Sequence, residues 1–86
     1  MEISWSEEKD KALRATRNVS FQAVRGEIAA GRFIGPEANP AHPTQQRIIV
    51  SLNGYPHIVP LVIDEDGNWF LKTIFPSRKA KKEGRI

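Results

Sequence analysis

The sequence predicts one α+β domain over residues 1 to 86: a short N-terminal strand, two helices packed on one face of an antiparallel β-sheet, and a short basic C-terminal helix. Three observations carry this expectation. Two early segments have apolar residues at helical spacing between capping residues, three later segments read as strands separated by turn sequences, and positive charge collects after residue 71.

Each element follows from local chemistry. The stretch "EISW" alternates as a strand does, and Ser6 then caps a helix with Glu7 and Glu8 in its positive first turn. That helix runs to about Arg17. Asn18 tolerates the left-handed geometry that ends it, and Ser20 caps a second helix, "FQAVRGEIAAG". Phe21, Val24 and Ile28 share a face there and are expected in the core, with Trp5 and Leu13. Residues 31 to 46 hold Gly35, Pro36, Asn39, Pro40 and Pro43 and read as a long connection, a length usually functional or mobile.

Three strands follow, "RIIVSLN", "YPHIVPLVID" and "NWFLKTIF", joined by the turns "NGY" and "DEDGN". Ile48, Val50 and Leu52 share one face of the first. Trp69, Leu71 and Phe75 share one face of the last, with Lys72 and Ile74 opposite. Pro56 and Pro60 remove donors from the same side of the middle strand, so a bulge or broken pairing is expected near one of them. Ser77 caps the final basic helix.

Composition narrows the function classes. A chain of 86 residues buries only about 60% of the surface its unfolded form exposes, which makes it marginally stable alone. There is no cysteine, so disulfide frameworks and thiolate chemistry are excluded. The acidic start "MEISWSEEKDK" is unlike a signal peptide and no stretch reaches membrane-spanning length, which together read as cytoplasmic, with no membrane partner. The net charge of +3 is unevenly spread: residues 72 to 86 carry six basic groups against Glu83, whereas residues 1 to 71 are net negative. Such an end is either a solvated tail or a surface for polyanions.

Across nearly its whole length the chain resembles the BrnT family of bacterial type II toxins. The resemblance rests on the order of elements, on "ISWSEEKDKALRATRNVSFQAV", in which Trp5, Lys9 and Val19-Ser20-Phe21 fall at the family's separations, and on "PSRKA" after the last strand. It implies a RelE-like fold, ribonuclease activity and silencing by a cognate antitoxin that carries a DNA-binding domain. Three positions depart from the pattern. The family's His-Gly turn is Arg17-Asn18 here, the last-strand arginine falls on Thr73, and the terminal tyrosine is missing from "KEGRI".

Cleavage of RNA by its 2'-OH requires a base, an acid and cations for the charge that grows on phosphoryl oxygens. Arginine suits the last role because its planar fork stays protonated and meets phosphate with two bonds. Arg78 is therefore the first catalytic candidate, followed by Lys79 and Arg47, with His57 as the titratable group. A lone histidine among Tyr55, Val59 and Leu61 is more often a packed or hydrogen-bonded residue than a catalytic one. Lys72, Lys81, Lys82 and Tyr55 are candidate RNA contacts, and for Tyr55 covering the sheet ranks above stacking on a base. His42 and His57 lack carboxylates at ligand spacing, so neither a metal site nor any cofactor is expected. Asp64, Glu65 and Asp66 read as turn chemistry.

Two classes of function remain open from the sequence. One is a metal-independent endoribonuclease toxin, assisted by the ribosome in some RelE-like relatives. The other is a non-catalytic binder on the same fold, whose ParE branch acts on DNA gyrase, or an inactive toxin retained in a repressor complex.

Overall fold

The computed structural model describes residues 1 to 86, and its elements follow the expected order with one strand added and the last strand divided in two. Strand β1 spans Ile3–Trp5, helix α1 Glu7–Arg17, helix α2 Phe21–Ala29, β2 Ile34–Ala38 and β3 Gln46–Leu52. Then come β4 at Tyr55–Ile63, β5 at Trp69–Leu71, β6 at Phe75–Pro76 and helix α3 at Arg78–Lys82. The fold is α+β. None of the helices is long and apolar enough to cross a membrane.

The caps behave as their chemistry requires. Ser6 accepts a hydrogen bond from the Lys9 amide at 3.2 Å, Ser20 one from Ala23 at 3.1 Å, and Asn18 ends α1 at φ 54°. The corner between the helices is locked by a group that periodicity did not single out. Asp10 is buried, and its carboxylate accepts from the Phe21 amide at 2.7 Å and from Arg14 Nε at 2.8 Å.

The sheet order is β1-β5-β4-β3-β2, with β6 also pairing β4. It is antiparallel except at β1, which runs parallel to β5. A parallel pair needs a crossover connection. Part of the long connection here is the helix pair, which covers one sheet face. On that face Leu13, Val19, Phe21, Val24 and Ile28 pack with Ile48, Val50, Leu52, Val59, Leu61 and Leu71. On the opposite face α3 lays Ala80 against Ile49 and Ile58.

Two expectations are corrected. The stretch read as a loop contains β2, an edge strand that pairs with β3 through a register shift between Ile34 and Glu37. Its prolyl residue Pro36 suits an edge. Gly35 is required there: at φ 107° a Cβ would sit 2.8 Å from the Arg47 carbonyl oxygen.

The irregularity expected near a proline is present, beside Pro60, and lies on the side away from β3. Pairing of β4 with β3 is unbroken from Leu61 to Tyr55. The carbonyls of Pro56 and Pro60 accept from Ser77 and Lys72 instead, at 3.0 and 2.8 Å, so the missing donors face the other neighbour. There the irregularity falls, with Lys72, Thr73 and Ile74 opposing only Val59 and Pro60.

That extra residue produces the second correction. Beyond it the alternation is inverted, so Ile74 joins Trp69 and Leu71 in the helix-side core while Phe75 packs beside Ile49 and Ile58 on the other face. Arg17 closes the irregular segment by donating to the Ile74 carbonyl at 2.7 Å.

Candidate functional site

The basic C-terminus is an ordered, doubly capped helix. Ser77 follows β6 in extended geometry, and its hydroxyl accepts from the Ala80 amide at 3.0 Å. At the other end Gly84, at φ 68°, lets the chain reverse: its amide donates to the Lys81 carbonyl at 3.2 Å, and the Arg85 amide to the Ala80 carbonyl at 3.0 Å. Basic residues also suit the negative end of the helix dipole. With Ala80 inward, Arg78, Lys79, Lys81 and Lys82 are left exposed.

The reversal after α3 carries Arg85 to the edge of the sheet. There the Glu37 carboxylate on β2 receives two guanidinium groups. Arg47 Nε and Nη2 meet Oε2 at 3.0 and 2.9 Å. Arg85 Nη2 meets Oε1 in a short contact, with Nη1 3.3 Å from Oε2. Hydrogen bonding from Arg85, opposed by desolvation and reinforced by Arg47, holds the Glu37 carboxyl below its ordinary range. Beside this group lies a cleft of about 240 Å³, bounded by Arg47, Arg85, Lys79, Ser77 and Glu83.

Arg47 and Lys79 are thus brought together, joined by two residues that the sequence did not mark, Arg85 and Glu37. Arg78 is exposed on the same helix but does not line the cleft. His57 is separated from it. The period of two places His57 on the helix-facing side of β4 with Val59 and Leu61, whereas Arg47 shares the other side of β3 with Ile49. His57 is only 6% exposed, and its Nδ1 lies 2.8 Å from the Tyr55 carbonyl oxygen. A carbonyl only accepts, so Nδ1 carries the proton and faces the backbone.

The candidate RNA contacts divide as well. Tyr55 meets His57 edge-on at 6.2 Å between centroids, and Lys81 Nζ stands 5.9 Å from the Tyr55 ring centroid. Lys72 Nζ lies instead over Phe70, at 5.4 Å, while Lys82 is exposed. No three His, Asp or Glu side chains converge as a ligand set for a metal ion.

A larger cleft of about 530 Å³ lies between the α1–α2 corner, α2 and the end of β3. Its charged groups are already engaged: Arg14 with Asp10, and Glu27 with Arg32. Of these two clefts, only the smaller is bounded by a cation outside any ion pair, Lys79 on α3. No protein-family model, curated protein or solved structure matches the chain.

Proposed function

We propose that this chain is the toxin of a bacterial type II toxin-antitoxin pair, with the RelE-like fold of the BrnT toxins, and that it cleaves RNA without a metal ion. The observation that carries the reading is the α3 surface. Arg78 and Lys79 are exposed, take part in no ion pair and share α3 with Lys81, which stands over the Tyr55 ring, so that one short helix offers a single-stranded nucleic acid cations for its phosphates and lies next to a ring for a base. Helices on one sheet face and a basic helix on the other agree with the resemblance read from "PSRKA". The same cations suit an acidic antitoxin segment, which folds over α3 and blocks RNA.

A second reading, a binder without catalysis, is favoured by His57. Its ring is buried on the face opposite the Arg47–Lys79 cleft, so the histidine does not stand beside those cations as a base.

One experiment separates the two. With a chelator present, purified protein should cleave single-stranded RNA, and Arg78→Ala should lower the rate ~10²-fold or more while the fold is kept. Retained RNA binding with no cleavage establishes the binder, and loss of activity to the chelator with recovery on adding a divalent ion overturns the metal-free chemistry.

A further inference from the structure

Arg47 and Arg85 come from opposite ends of the fold, β3 and the residue that follows the turn after α3, and converge on one carboxylate. An exposed arginine needs no such partner, and these two are only 21% and 30% exposed at their side chains. Together they offer a fork of donors at about the spacing of two oxygens, which is the recognition geometry of a carboxylate or a phosphate. Lys79 and the cleft lie alongside, so the place is open from one side.

We propose that Arg47 and Arg85 form a phosphate clamp that Glu37 occupies in the free protein, and that a phosphodiester displaces Glu37 to bind there with Lys79 as the third cation. This deepens the proposed function, on which it rests, by assigning the clamp to the RNA backbone and Glu37 to the role of internal competitor.

The charges support displacement. Arg47, Arg85 and Lys79 face Glu37 and Glu83 around the cleft, a net charge of only +1 while Glu37 stays in place. When the carboxylate swings out, the incoming phosphate meets three cations with Glu83 alone opposed. Glu37 lies on an edge strand beside the register shift, where the ladder does not hold it on both sides. Its charge thus lowers the apparent affinity of the clamp by the fraction of time the clamp is filled.

The test is a titration with inorganic phosphate, followed through the guanidinium NMR signals of Arg47 and Arg85. Phosphate should move both sets of signals in the unaltered protein. Glu37→Gln should bind phosphate ~10-fold more tightly if Glu37 fills the clamp about nine-tenths of the time. Arg47→Ala should abolish the response of the Arg85 signals, and Lys11→Ala, on exposed α1, should change nothing. Phosphate that leaves both guanidinium signals unmoved in the unaltered protein overturns the clamp, whatever the variants do. So does equal affinity in Glu37→Gln. Phosphate bound at the clamp by a protein that does not bind RNA would keep the clamp and remove the toxin reading; RNA bound equally by Glu37→Gln and the parent would do the reverse.

Discussion

The two faces of the sheet are held by different forces. On the helix side, thirteen buried apolar residues form one continuous core, with Phe21 stacked on Trp5 at 5.7 Å. On the α3 side the buried cluster is only Ile49, Ile58 and Ala80, and the helix is kept in place by caps and by the Glu37 ion pairs. Burial on the first face supplies most of the stability, because that term scales with apolar area removed from water. The second face is therefore free to carry charge. A surface rich in uncompensated lysine and arginine costs little where few apolar contacts depend on it.

The sharpest way to break this comparison is at Phe21, which is fully buried. Phe21→Ala should cost about 3–5 kcal/mol, a large part of what a domain of this size has. Urea unfolding reads it directly. A loss under about 1 kcal/mol would mean that the helix layer is not the stabilising one.

A smaller effect should stay local. Ser77→Ala removes the α3 cap and should cost about 1 kcal/mol, with hydrogen exchange speeding up at Lys81, Glu83 and Arg85 while amides of α1 and α2 are unchanged. Faster exchange in all three helices would show that α3 is an integral part of the core.

The same contrast explains what could be read from the sequence. The helix-side core was legible because Phe21, Val24, Ile28, Ile48, Val50 and Leu52 obey simple periods. Caps were legible too, since Ser6, Ser20, Asn18 and Ser77 act on their own neighbours. The break in alternation at residues 72 to 74 was not. Pro60 signalled that an irregularity was near, but which strand absorbed it depended on the side its missing donor faced, a fact of register.

The cleft was half legible for a related reason. Arg47 and Lys79 stand out as cations in any reading. Glu37 and Arg85 are 48 residues apart, and no local pattern links them. His57 was visible as the only histidine in a strand. Its separation from the cations follows from the side of β4 it occupies, and alternation gives that only once the core face is fixed.

The smallest predicted effect is a pH dependence confined to the α3 face. The Glu37 carboxyl is held below its ordinary value of 4.5, first by hydrogen bonding from Arg85. A group with a lowered folded pKa contributes stability at pH above its unfolded value, and the contribution is lost as pH falls through the folded one. The Glu37 side chain is 28% exposed, so its ion pairs are worth about 1 kcal/mol or less. Other carboxylates titrate in the same range: Glu27, held down by hydrogen bonding from Arg32, and Asp64, by backbone hydrogen bonding from Asn68. Comparing unaltered protein with Glu37→Gln cancels them. The stability difference should be constant from pH 7 to about 5 and shrink below 4.5, whereas Phe21→Ala should cost nearly the same across that range, because burial of an aromatic ring has no proton to lose. A Glu37 difference that persists unchanged at pH 3 would mean that the side chain acts through packing, and the two faces would then differ in amount of burial alone.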